Sequence, residues 1–115
     1  MPEVRATTQV LAILNVLLSD LSGDWYGLEL TRAAGLKTGT VYPILARLEK
    51  AGWLTSRWED VDPAVAGRPR RRMYRLSGEG QRNGSALLAE HRELLAPKSA
   101  PARGGWMLNP GKGTA

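Results

Sequence analysis

Apolar residues crowd the first part of the chain at Val10, Leu11, Ile13, Leu14, Leu17, Leu18 and Leu21. Their spacing follows the helical period, and Thr7 or Thr8 is placed to cap a helix running to about Ser19. The stripe is wide for a surface helix, which implies burial on more than one side, within the core or against a second subunit. Ser22-Gly23-Asp24 reads as a turn, with Asp24 as N-cap of a short helix from Trp25 to Ala34 that buries Leu28, Leu30 and Ala33. Gly35 stops that helix, because glycine accepts the left-handed backbone of a helix end, and Leu36 packs beneath the turn. Thr38 caps the next helix, which extends to about Ala51 and stops at Gly52. Val41, Ile44, Leu45 and Leu48 share one sector of it and form its core face. The opposite face carries Gly39, Pro43, Ala46, Arg47 and Lys50, with Tyr42 on the flank. Pro43 conflicts with a regular helix interior, so either the first turn is distorted or regular helix begins later than Thr38.

The period then changes. From Trp53 to Glu59 residues alternate, with Leu54, Ser56 and Trp58 on one side, which predicts a strand. Asp60 to Pro69 holds two prolines and a glycine and reads as a loop. Arg70 to Leu76 alternates again, with Tyr74 and Leu76 sharing a face, so the two strands make a hairpin with a long tip. Ser77 caps a last helix whose start is weakened by Gly78, Gly80 and Gly84, so regular helix is expected only near Ser85. Leu87, Leu88, His91, Leu94 and Leu95 recur at helical spacing, and Pro97 ends the element. The rest is rich in Pro and Gly and reads as a disordered basic tail, with Trp106-Met107-Leu108 its one apolar spot.

Composition narrows the class. A length of 115 residues suits one domain, and a formal charge of +5 favours an anionic partner. The charge is concentrated: five arginines fall between Arg68 and Arg75 with no carboxylate among them. Such a run repels itself and is usually either disordered or matched by something negative. The absence of cysteine excludes disulfides and thiolate metal sites. The longest apolar run, Val10 to Leu18, is interrupted by Asn15 and falls well short of the roughly 20 residues a bilayer span needs. It does not read as a signal peptide either, so a cytoplasmic protein with no membrane association is expected.

The predicted order is three helices, a strand, a wing loop, a strand and a C-terminal helix. Two helices joined by a glycine turn and followed by a hairpin make a winged helix-turn-helix, an α+β fold that is mainly α. Its second motif helix can enter a major groove while the wing flanks it, reaching phosphates or an adjacent minor groove. The segments YGLEL at Tyr26–Leu30, GLKTGTVYPILARLEKAGWL at Gly35–Leu54 and GRPRRRMYRLSGEG at Gly67–Gly80 resemble the PadR family of transcriptional regulators. The resemblance covers about residues 8–96 and makes Pro43 a feature of the family pattern.

The resemblance implies a winged-helix DNA-binding domain over 7–77, a C-terminal dimerisation helix over 78–96 and a flexible basic tail over 97–115. It implies a homodimeric regulator of transcription, in most members a repressor, that binds double-stranded DNA at a palindromic operator. Its last helix would meet the partner through Leu87, Leu88, His91, Leu94 and Leu95, with Leu14 and Leu18 of the first helix. This chain's last helix is shorter than in many members. Some regulators of the family take flat aromatic ligands at the dimer interface; the resemblance therefore admits a small aromatic effector, with no residue here assigned to it.

The candidate DNA contacts are Lys37, Thr38, Thr40, Tyr42, Arg47, Arg68, Arg70, Arg71 and Arg72. Thr38 serves equally well as a cap, and Tyr42 either places its hydroxyl on a phosphate or packs under the wing. Arg75 alternates with inward Tyr74 and Leu76 and is a candidate partner for a carboxylate, while Lys50 suits the helix-end dipole. Trp25, Trp53 and Trp58 fit core or wing packing. The lone His91 does not make a metal site, and no enzyme motif or cofactor signature occurs, so neither catalysis nor a cofactor is expected. Two other readings fit the charge: a winged helix that binds an acidic protein through its basic wing, and an RNA- or ribosome-associated protein, for which a wide A-form minor groove suits the helix poorly.

Overall fold

The computed structural model describes residues 4–95. In chain order the elements are α1 Thr8–Ser19, β1 Trp25–Tyr26, α2 Gly27–Ala34, α3 Thr38–Lys50, β2 Leu54–Trp58, α4 Pro63–Ala66, β3 Arg72–Leu76 and α5 Gly78–Glu90. A 3₁₀ turn, Arg92–Leu94, follows α5. The expected stop at Pro97 and the basic tail with Trp106-Met107-Leu108 lie outside the described residues.

Helix α1 matches its prediction, and the Thr7 hydroxyl accepts a hydrogen bond from Val10 N at 3.1 Å. The segment after it corrects the expected helix over Trp25–Ala34. Trp25 and Tyr26 are extended and pair antiparallel with Tyr74 and Met73, so the expected two-stranded wing is a three-stranded sheet in the order β1-β3-β2. Asp24 is therefore not a helix cap; Tyr26 takes the N-cap position of α2, and its amide donates to Glu29 at 3.3 Å. The helix starts two residues later than expected, at Gly27, and the buried face changes with it. Leu30 is enclosed as expected, Leu28 and Ala33 are exposed, and Gly27 and Thr31 are buried in their place.

Gly35 ends α2 in the left-handed conformation, and Leu36 packs against the core beneath the turn. Helix α3 begins at Thr38, with Lys37 rather than Thr38 at the cap position, and it runs through Pro43. The first turn is tightened: the Lys37 carbonyl accepts from both Thr40 and Val41, at 2.9 and 3.0 Å. Proline offers no N–H to the Gly39 carbonyl one turn back, but Gly39 and Pro43 both lie on the exposed face, where water can serve that carbonyl.

Strands β2 and β3 pair from Leu54↔Leu76 to Trp58↔Arg72. Leu54, Tyr74 and Leu76 point into a core completed by Leu11, Ile13, Leu14 and Leu17 of α1, Leu30 of α2, and Val41, Ile44, Leu45 and Leu48 of α3. Each fully buried leucine contributes about 1.5–3 kcal/mol relative to exposure, so this apolar set fixes how α3 and the wing sit on each other. The wing loop also departs from expectation: Pro63–Ala66 forms a single helical turn, capped by Asp62 accepting from Ala64 N at 3.0 Å and closed by left-handed Gly67.

The glycines of α5 do not delay the helix, which is regular from Gly78. A Cβ on Gly80 would lie 2.0 Å from the Trp53 carbonyl oxygen, and one on Gly84 would touch Leu14 and Leu18 at 3.4 and 3.8 Å. At Gly80 the low helix propensity of glycine is thus overridden by the close approach of α5 to the start of the hairpin, while Gly84 is buried in ordinary contact with α1. At the other end α5 is shorter than its apolar pattern suggested: regular helix stops at Glu90, and Leu94 falls in the 3₁₀ turn.

Candidate nucleic-acid interface

The core face of α3 leaves the opposite side outward. Thr38, Gly39, Tyr42, Pro43, Ala46, Arg47 and Lys50 are exposed there, Thr40 is half-buried, and Lys37 stands exposed at the helix start. Small residues at Gly39, Pro43 and Ala46 let a second surface approach the backbone, with cations at both ends. This shape and charge suit a helix lying in a groove lined by phosphates.

Tyr42 is 44% exposed, and its ring lies over the start of α2. A Cβ on Gly27 would fall 2.4–2.5 Å from the Tyr42 ring and hydroxyl. Glycine at this position makes room for the tyrosine and links the YG of one motif to the TVY of the next.

The wing is built from its own charges. Glu59 accepts two hydrogen bonds from the Arg68 guanidinium, at 2.6 and 3.1 Å, and one from Arg71 N at 3.2 Å. The bonds from Arg68, ahead of the amide and the nearby positive charge, pull the Glu59 carboxyl down to about 2. Arg70 Nε donates to the Val61 carbonyl at 2.9 Å. The Arg71 guanidinium lies over the Tyr26 ring, 4.1 Å from its centre, and Arg72 lies over Trp58 at 5.1 Å with Glu49 at 4.0 Å. On the outer face of the sheet Asp24 pairs with Arg75 at 2.8 Å and with Arg57. Burial alone would raise the Asp24 carboxyl, but the bonds from the two arginines outweigh it and hold the group below its ordinary range. Arg75 thus takes the carboxylate partner its alternation suggested.

Between α2, α3 and β3 the structure encloses a half-open cleft of about 370 Å³. It is lined by Tyr26, Gly27, Leu28 and Arg32 from β1 and α2, by Tyr42 from α3, and by Arg70, Arg71 and Arg72 from the wing. No acidic residue among the described ones lines it. Four of the expected contacts, Tyr42, Arg70, Arg71 and Arg72, therefore meet at one place beside the exposed face of α3. Lys37, Thr38, Thr40 and Arg47 lie along α3 outside the cleft, and Arg68 is turned into the wing by Glu59. Arg32, Tyr26 and Gly27 were not anticipated as site residues. The available signal was that Arg32 lies off the apolar side of its helix and that Tyr26-Gly27 opens the first quoted motif.

Of the residues expected at a subunit interface, Leu14 is corrected: its side chain is wholly enclosed within one chain, against Gly84, and offers no surface to a partner. Leu18, Leu88 and Leu95 border an open groove between α1 and α5, together with Asn15, Ser85 and Arg92. Leu87 is half-buried against the core, Leu94 is exposed, and His91 is half-buried with its Nε2 3.8 Å from Glu90. No helix among the described residues is long and apolar enough to cross a membrane.

A glycine-turned helix pair, an outward helix face and a basic hairpin folded beside it define a winged helix-turn-helix protein. The chain belongs to the PadR family: the model described as "Transcriptional regulator PadR-like family" matches residues 13–86, more than half of its length. It is 33% identical over 111 residues to the transcriptional regulator Rv3488 of Mycobacterium tuberculosis, covering 96% of this chain and 95% of that one. Among solved structures, a PadR family transcription regulator from hypervirulent Clostridium difficile R20291 superposes with a TM-score of 0.61 at 26% identity, covering 76% of this chain and 91% of that one. NadR in complex with 4-hydroxyphenylacetate superposes with a TM-score of 0.56 at 27% identity, covering 77% of this chain and 55% of that one. The chain is thus a transcriptional regulator of the PadR type.

Proposed function

We propose that the chain binds double-stranded DNA sequence-specifically as a homodimer and represses transcription from a palindromic operator. The observation that carries this reading is the outward face of α3 lying beside a cleft lined by four arginines and no acid. Arg47, Thr40 and Lys37 are the side chains for base edges and adjacent phosphates. Arg70, Arg71 and Arg72 supply the sequence-independent grip. The groove between α1 and α5, bordered by Leu18, Leu88 and Leu95, supports a subunit interface to which α5 contributes most. Dimer symmetry then requires two half-sites about one helical turn apart. Likeness to NadR, crystallised with 4-hydroxyphenylacetate, supports a small aromatic effector as a second, separable property.

The test is selection from a random duplex DNA pool at about 150 mM salt, where exposed charges are screened within roughly 8 Å. Enrichment of a palindromic motif is the expected result. Retention without enrichment would leave charge-driven binding alone. Failure to retain duplex DNA would move the reading to an acidic protein partner, with the wing as bait.

A further inference from the structure

We propose that the cleft between α2, α3 and β3 is a clamp for a single DNA backbone phosphate, with Arg32 and Arg71 as its cationic jaws and the Tyr42 hydroxyl as its third donor. The proposal rests on the DNA-binding reading and names which residues hold the strand beside α3. Arg32 is the new assignment: it comes from α2, outside both the recognition helix and the wing.

Two arginine-bearing clefts of similar size flank the sheet, and they differ in one respect. The cleft on the outer face, about 350 Å³, contains Arg57 and Arg75 and also Asp24, whose carboxylate bonds to both. Its anion is built in. The cleft beside α3 gathers Arg32, Arg70, Arg71 and Arg72 with no carboxylate among its lining residues. A half-open cleft that gathers four guanidinium groups, of which among the described residues only Arg72 has a carboxylate, Glu49, within ion-pair distance, concentrates positive potential and is a site that an anion completes.

The geometry selects a phosphate on a strand. The Arg71 guanidinium sits over the Tyr26 ring, 4.1 Å from its centre, a contact that restrains the group without using its N–H donors. Tyr42 reaches the same cleft from α3 because Gly27 has no side chain, so its hydroxyl is aimed by packing. Arg32, from α2, lines the same cleft and is exposed. Arg70 is engaged by the Val61 carbonyl, and Arg72 is shared between Trp58 and Glu49, so neither is required by the clamp. The cleft is open along one side and adjoins the exposed face of α3, where the backbone flanking an occupied groove would run.

The experiment measures affinity of the full chain for duplex DNA across a salt series, using the selected operator. Arg32→Ala and Arg71→Ala should each weaken binding about tenfold and lower the salt slope by about one. Gly27→Ala is the diagnostic variant, because it changes no charge and alanine favours helix. It should displace the Tyr42 ring and weaken binding, with the circular dichroism spectrum and Tm retained; Tyr42→Phe should weaken binding to a similar extent. Arg75→Ala, whose partner is Asp24, should leave the slope unchanged. Wild-type binding by Arg32→Ala, Arg71→Ala and Gly27→Ala would overturn the clamp and leave DNA recognition standing. Absence of duplex binding by the unaltered chain would instead remove the underlying reading. Titration with 4-hydroxyphenylacetate separates a third case: saturable binding lost in Arg32→Ala, with DNA affinity unchanged, would make the cleft a small-molecule site and overturn the proposal.

Discussion

The ends and the middle of one basic run do different work. Arg68 and Arg75 bracket it, and each is held by a carboxylate, Glu59 or Asp24. The guanidinium groups of Arg70 and Arg71, between them, contact a carbonyl and a tyrosine ring, and it is the backbone amide of Arg71 that bonds to Glu59. Arg72 leans on a tryptophan, with Glu49 at the outer limit of an ion pair. A guanidinium paired with a carboxylate has its charge already spent. One stacked on a ring face is oriented but still carries a charge to offer an anion. The same residue type thus builds the wing at its ends and, in its middle, leaves Arg70 and Arg71 with guanidinium charge that no carboxylate bonds.

The largest test of this contrast removes the middle. Arg71→Ala with Arg72→Ala should weaken duplex binding about a hundredfold and flatten the salt slope by one to two units, while Arg68→Ala leaves the slope as it was. Anisotropy titrations across salt measure both. Equal losses from Arg68→Ala would show that carboxylate pairing does not withdraw an arginine from DNA.

How much of this was legible in the sequence follows from how far apart the partners lie. The elements could be read because their signals are local: caps at Thr7 and Ser77, stops at Gly35 and Gly52, and a sharp change of period at Trp53. The same local reading placed the exposed face of α3 and the wing arginines. It failed where a distant contact decided the outcome. Trp25-Tyr26 is a strand because β3, some fifty residues later in the chain, offers it an edge. Asp24 is an ion-pair partner for the same reason, since Arg75 comes to it only through that pairing. Gly80 reads as a helix weakener because propensity is local, whereas the Trp53 carbonyl that needs its bareness is remote. Arg32 was passed over because nothing along the chain brings α2 up to β3.

A smaller effect tests the Asp24 end. Asp24→Asn keeps the side-chain shape but removes the charge that holds Arg57 and Arg75. Both arginines are more than half exposed, so the pair is discounted to about 1 kcal/mol, and Tm should fall by roughly 4–8 °C. DNA affinity should change little, because the outer cleft is not on the α3 side. Thermal melts with parallel binding curves measure the two quantities, and a large loss of affinity at unchanged Tm would reverse the assignment of Arg75.

The smallest effect concerns Glu59, and its sign can be worked out in advance. Its carboxyl lies at about 2 in the folded wing, against an ordinary value of 4.5. A group whose folded value is depressed contributes its full stabilisation above the ordinary value and loses it as pH falls toward the folded one. The Arg68 pair should therefore hold the wing tip at neutral pH and release it progressively between about pH 4.5 and pH 2. The stack of Arg71 on Tyr26 involves no carboxylate and should persist through that window. NMR titration of the Glu59 side-chain carboxyl, with the amide of Arg71 as a second reporter, reads this directly. Glu59→Gln should abolish the low-pH step. A Glu59 carboxyl that titrates near 4.5 would mean that Arg68 is not held in solution, and the ends of the run would then be as available to DNA as its middle.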